Sequence, residues 1–280
     1  LIYFFAGSLL AGIILTLVYG AHNVLSSSML LQYMLPMAPV LVYIALRGYT
    51  SYKGAKLLGN ENLANATQIA INSPVKREEG RKVSWSIVFI TLFIGTIAIG
   101  CAIDPIMSKI TIPDAIKAIY EKMSLNNYSY IVSIVLCAPL CEEFLFRGII
   151  QRGLMSRYNP YAAIFTAALL FGALHLNFLQ GVGGFIIGSF IGFIYYKTHS
   201  FWAAVFVHFV NNGTSFLTTS LLPKECTSLN YKEILQYFNV SSPNLIYWAT
   251  VVLGVVLTLR TIYLIYKWFP NTKNLRRTNI

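Results

Sequence analysis

Residues Cys141 to Arg147 read Cys-Glu-Glu-Phe-Leu-Phe-Arg and lie inside an apolar run that begins near Tyr130 with Ile131, Val132, Ile134, Val135 and Leu136. A long apolar run of this kind reads as a membrane-crossing helix, and charge inside one is costly enough that it normally faces a bundle interior or a wet cavity. On a helix, Glu143 and Arg147 are four apart and share a face, so they can pair, whereas Glu142 points roughly 100° away. One arginine neutralises one carboxylate. The other must find a further partner or hold a proton, and either outcome suits an acid or a base. A purely structural clamp between helices is the competing reading, and the excess carboxylate argues against it.

The surrounding composition extends this reading to the whole chain. Of 280 residues, 56% are hydrophobic and 11% charged, against about a quarter charged in soluble domains, which points to an integral membrane protein. The net charge of +11 does not form one cluster of the kind nucleic acid would need. The basic residues sit between apolar spans, where they anchor and orient helices against anionic lipid. The four cysteines, Cys101, Cys137, Cys141 and Cys226, show no disulfide framework and no C-x-x-C motif, and read as small packing residues.

Eight apolar spans can be marked: Ile2 to Tyr19, Met29 to Leu46, Trp85 to Ile103, Tyr130 to about Ile150, Tyr161 to about Leu176, Val182 to Tyr196, Phe201 to Leu222 and Leu245 to about Trp268. The first has no basic n-region and reads as a span rather than a signal peptide. Pro36 and Pro39 predict a kink in the second. In the sixth, Gly184, Gly188 and Gly192 share a face, which predicts close helix packing and nothing catalytic. The loop after the second span is long enough to hold an interfacial helix around Ala55 to Ile71, and the segment from Ile112 to Met123 reads likewise as a surface helix. The loop from Arg47 to Ser84 carries Arg47, Lys53, Lys56, Lys76, Arg77, Arg81 and Lys82, and the later positions Arg152, Arg157, Lys197, Lys273, Arg276 and Arg277 fall on the same side. By the positive-inside rule both termini are cytoplasmic.

Few other chemically competent side chains lie at membrane depth. The fifth span ends in Phe171-Gly-Ala-Leu-His175-Leu-Asn177, and the seventh contains His208-Phe-Val-Asn211-Asn212. At about 1.5 Å per residue, Glu142 lies roughly 15 Å in from Arg152, His208 roughly 12 Å from Ser200, Asn212 roughly 18 Å from Ser200 and His175 roughly 24 Å from Asn159. These depths scatter about the midplane of a core that is about 30 Å thick, which lets the groups meet in one buried polar cavity. A carboxylate, two imidazoles and an amide suit peptide hydrolysis: Glu142 as general base toward water, with Asn212 or a protonated histidine stabilising the oxyanion. The same residues offer a zinc alternative, with Glu142, His175 and His208 as ligands, although no H-E-x-x-H motif is present.

Glu142-Glu143-x-x-x-Arg147, then Phe171-x-x-x-His175, then His208-x-x-x-Asn212, in that order on successive membrane segments, resembles the CPBP family of intramembrane proteases. That family includes the eukaryotic CAAX prenyl endopeptidase and bacterial bacteriocin-immunity and lysostaphin-resistance proteins. The resemblance implies an all-α membrane fold of about eight transmembrane helices around a cavity open toward the cytoplasm. It divides the chain into an N-terminal membrane region (1–129), a catalytic core of four spans (130–222), and a last span with its flanking segments (223–280). By this resemblance Glu142 is the water-activating base, His175 and His208 are supporting histidines, Asn212 stabilises the oxyanion, and Glu143 and Arg147 are electrostatic partners. The family has been described both as glutamate-type and as metal-dependent.

The expected partners are membrane lipids and a peptide or lipidated protein substrate, with no nucleic acid, and the short loops suggest a bacterial inner membrane. A non-proteolytic scaffold or immunity factor using the same helices is the alternative from another class. A transporter, with the carboxylates as a proton relay, lacks the repeated halves and paired broken helices such proteins show.

Overall fold

The computed structural model describes residues 83–111, 131–175, 177–226 and 229–270. The spans Ile2 to Tyr19 and Met29 to Leu46, nearly all of the basic loop after them, both candidate surface helices and the basic tail lie outside the described residues. Almost all the described residues belong to one compact unit, Glu79–Asn127 with Ile134–Ile280, and only 131–133 fall in the other, Leu1–Glu78 with Tyr128–Ser133.

Among the described residues the chain is all-helical. Helix α1 is Trp85–Met107. A continuous helical run follows, made of π1 (Val132–Cys137), α2 (Ala138–Glu143), π2 (Phe144–Gln151) and α3 (Arg152–Met155). Beyond it come α4 (Pro160–Ala173), α5 (Phe178–Thr198), α6 (Phe201–Leu221), the short α7 (Tyr231–Tyr237) and α8 (Pro243–Trp268). Helices α1, α5 and α8 are long and apolar enough to cross a membrane, and α4 is a shorter apolar helix. Helix α6 has similar length, but His208, Asn211, Asn212, Thr214 and Ser215 dilute its apolar character.

The starts of these helices follow from local chemistry. Ser84, Asn159, Asn177 and Ser200 each place a side-chain oxygen on an otherwise unpaired backbone N–H of the first turn of α1, α4, α5 and α6. Pro160 and Pro243 occupy first-turn positions, where a missing N–H costs nothing. Asn230 and Glu233 form a reciprocal capping box on α7.

The structure departs from the sequence pattern in two places that bear on function. Periodicity predicts a regular helix from Tyr130 to about Ile150, yet the run widens to π geometry on both sides of α2. Pro139, at the start of α2, removes an N–H from the α ladder, which accounts for a break beside π1. The fifth span also stops early: α4 ends at Ala173, and His175 lies in the turn before Asn177 caps α5.

Helices α1 and α8 pack as a close pair. A Cβ built on Gly254 of α8 would come 2.7 Å from the Ala98 carbonyl oxygen and 3.0 Å from the Ala102 nitrogen of α1, so only glycine permits this approach. Their outer faces expose Ile90, Phe93, Val252, Val256 and Leu259, the pattern of helices bathed in hydrocarbon rather than water. Phe89 of α1 meets Phe206 of α6 edge-on at 4.9 Å, tying this pair to the helices that carry the polar residues.

Gly254→Ala is expected to lower stability by roughly 1–3 kcal/mol, as overpacking does. Gly100→Ala, on the partner helix α1 and with nothing within 4 Å of its added methyl, is expected to be neutral or slightly stabilising. Thermal unfolding of the two variants in detergent checks the contrast.

Candidate active site

The chemistry is assembled from α2 and π2, the end of α4, and α6. Glu143 is fully buried and Arg147, one turn on, is buried with it. Arg147 Nη1 donates to Glu143 Oε1 at 3.0 Å, the pairing that the spacing of four predicts. The same oxygen lies 2.7 Å from His208 Nδ1 on α6. An ionised carboxylate offers only acceptors, so Nδ1 carries the proton and donates. One carboxylate oxygen therefore holds an arginine and a histidine together.

This fixes the orientation of His208. With Nδ1 engaged, Nε2 faces Glu142, whose Oε2 is 3.8 Å away. That distance is too long for a hydrogen bond, but one oxygen atom about 2.8 Å from each group fits at the apex between them. Glu142 retains 15% exposure and takes no direct bond from Arg147, whose two terminal nitrogens go to Glu143 and to the Gly188 carbonyl of α5 at 2.7 Å. The adjacent glutamates thus separate into an anchored carboxylate and an available one.

His175 Nδ1 lies 3.0 Å from the Phe171 carbonyl. A carbonyl only accepts, so this nitrogen carries a proton and leaves Nε2 as the ring atom not engaged by the Phe171 carbonyl. The imidazoles of His175 and His208 both lie within electrostatic range of Glu142. Phe171, which spacing alone left without a role, is packed edge-on against His175 (centroids 5.1 Å apart), His208 (5.6 Å) and Phe146 (5.0 Å), and the Arg147 guanidinium carbon is 5.3 Å from its centroid. It is the apolar wall common to both histidines.

Asn212 is on the His208 face of α6, but its amide is largely engaged. Nδ2 donates to the Ile134 carbonyl at 3.0 Å, and Oδ1 accepts from Asn211 Nδ2 at 3.1 Å. These bonds tie α6 to π1. A second residue that the sequence patterns did not single out is Gln151, fully buried at the end of π2, whose Nε2 donates to the Gly192 carbonyl at 2.8 Å. Its spacing of four from Arg147 was the available signal.

For a metal, the candidate set is Glu142, His175 and His208. Among the described residues no group of three or more His, Cys, Asp or Glu side chains is arranged to hold an ion. The 3.8 Å between His208 Nε2 and Glu142 Oε2 exceeds the edge of about 3.3 Å of a tetrahedron with zinc-length bonds. As they stand these side chains are not a preassembled metal site.

Residues 124–214 match the sequence model of a family described as type II CAAX prenyl endopeptidase Rce1-like. This segment, about a third of the chain, is similar to that family. It contains Glu142, Glu143, Arg147, His175, His208 and Asn212 and ends just beyond the last of them, so every site residue the sequence patterns predict falls within the matched region. No curated protein and no solved structure matches the chain.

Removing one member of a buried ion pair leaves the other uncompensated. Arg147→Met is therefore expected to destabilise the Rce1-like segment by about 3–5 kcal/mol, while Glu143→Leu combined with Arg147→Met is expected to recover much of that loss. Equilibrium unfolding of the single and double variants in detergent reads the difference.

Proposed function

We propose that this protein is an intramembrane endopeptidase in which Glu142 activates water for attack on a peptide bond. The observation that carries this reading is the chain of contacts Arg147–Glu143–His208, which turns His208 Nε2 toward a carboxylate that the arginine does not bind. Such an arrangement gives adjacent carboxylates different tasks: one orients a histidine, and the other is left to move protons.

In the proposed reaction, water between Glu142 and His208 attacks the scissile carbonyl carbon as Glu142 takes one of its protons. The carbonyl oxygen becomes an oxyanion. His208, protonated on both nitrogens and backed by the Glu143 carboxylate, donates from Nε2 to that oxygen. The remaining N–H of Asn212 is a second candidate donor, and His175 Nε2 accepts from the water and holds it in place. When the tetrahedral species collapses the C–N bond breaks, and Glu142 passes its proton to the leaving amine.

Similarity to a CAAX prenyl endopeptidase family supports a prenylated substrate cut near its C-terminus, and the apolar surroundings of the site suit a membrane-bound or lipidated peptide. We further propose about eight spans around a polar cavity open to the cytoplasm, with both termini on that side of a bacterial inner membrane. This reading rests on the placement of basic residues between apolar spans.

With a quenched-fluorescent peptide library that includes farnesylated Cys-a-a-X members, purified protein in detergent is expected to cleave. Glu142→Gln is expected to lower kcat by about 10²–10⁴, the usual contribution of a general base, at unchanged thermal stability. Full activity in that variant would sink the mechanism. Absence of cleavage by well-folded wild-type protein would favour the scaffold alternative. Metal content measured on the same sample distinguishes a glutamate-type enzyme from a metal-dependent one.

A further inference from the structure

Two side chains on π2 reach across to α5 in the same way. Arg147 Nη2 donates to the Gly188 carbonyl at 2.7 Å, and Gln151 Nε2 donates to the Gly192 carbonyl at 2.8 Å. Donors four apart on one helix meet acceptors four apart on the other, forming two parallel rungs. The second rung exists because residue 192 is glycine: a Cβ there would come 2.9 Å from Gln151 Oε1 and 3.0 Å from Ile164 Cγ2.

A fully buried carboxamide is an expensive choice at a helix contact that leucine or methionine would fill. Among the described residues, Gln151 Oε1 has no hydrogen-bond partner, so the one bond its amide makes outside its own helical run is the one from Nε2 to α5. It is the last residue of π2, where the run returns to α geometry at Arg152. One rung alone acts as a pivot about which π2 can turn. Two rungs one turn apart fix both its translation and its rotation against α5.

We propose that Gln151 is a positioning residue: its bond to the Gly192 carbonyl fixes the rotation of π2 on α5 and thereby holds Arg147 and Glu143 in place on the Nδ1 side of His208. Gln151 acts through those residues. For its kinetic consequence the inference rests on the protease reading above; its structural consequence stands apart from that reading.

The test uses two variants that break the second rung from opposite sides. Gln151→Met keeps the length but loses the donor, and Gly192→Ala crowds the acceptor. Val251→Ala serves as control, since it truncates a buried residue of α8 and lowers stability away from the rungs. Each protein is labelled with ¹⁵N-histidine; the chain has four histidines, and His208 is assigned from its loss in His208→Gln. The two rung variants are expected to move the His208 ring-nitrogen resonances and leave those of His175, whose partner is the Phe171 carbonyl one turn back. They are also expected to lower kcat about tenfold or more through misplacement, with KM little changed, and Val251→Ala is expected to do neither. Unmoved His208 resonances in a folded rung variant, or a kcat loss that only tracks the stability loss of Val251→Ala, would overturn the inference. If the wild type cleaves nothing, the protease reading fails by itself, and the His208 resonances still decide the role of Gln151.

Discussion

A carboxylate with no exposure to solvent, set among apolar helices, is tolerable only if donors surround it, and Glu143 has two on one oxygen. Much of the described core follows from that requirement. Arg147 must stay on the same helix face as Glu143, His208 must face α2 from α6, and α5 must come close enough for its Gly188 carbonyl to take the other end of the guanidinium. A cation in hydrocarbon has the same difficulty as the anion, and here each charge is part of the other's solution.

The cost of this arrangement is spread through the helix geometry. Between Val132 and Gln151 the run that carries Glu142, Glu143 and Arg147 is α-helical only across the six residues of α2 and widens on either side. π stretches are rare and concentrate at functional sites. They lack the tight ladder of an α-helix, so their orientation has to come from neighbours. Asn212 supplies such a contact at π1, and Arg147 and Gln151 supply two at π2. Phe171 adds an apolar wall that meets both histidines and the guanidinium.

The two adjacent glutamates show how position divides chemically identical groups. Glu143 is committed to structure by its partners. Glu142, partly exposed and 3.8 Å from His208 Nε2, keeps the freedom a general base needs. Had Arg147 been placed three residues after Glu142 alone, the assignment would have reversed; the spacing of four from Glu143 decides it.

Several features were legible in the amino-acid order. Apolar runs of membrane length give the all-helical class because an isolated chain in lipid must satisfy its backbone internally. The pairing of Glu143 with Arg147 follows from helical periodicity, and the Gly184, Gly188 and Gly192 face marked α5 as a close-packing helix. The ordered motifs from Glu142 to Asn212 lie within residues 124–214, the segment that matches the Rce1-like family model. What periodicity does not encode is contact between segments far apart in sequence. That His208 shares an oxygen with Arg147, that Asn212 spends its amide on Ile134, that His175 lies beyond the end of α4, and that Gln151 reads the Gly192 carbonyl were decided only when the helices packed. The sequence sets which faces are polar and how far apart their residues lie along each helix. The tertiary structure sets which polar faces meet, because buried donors and acceptors from different helices have to complete one another.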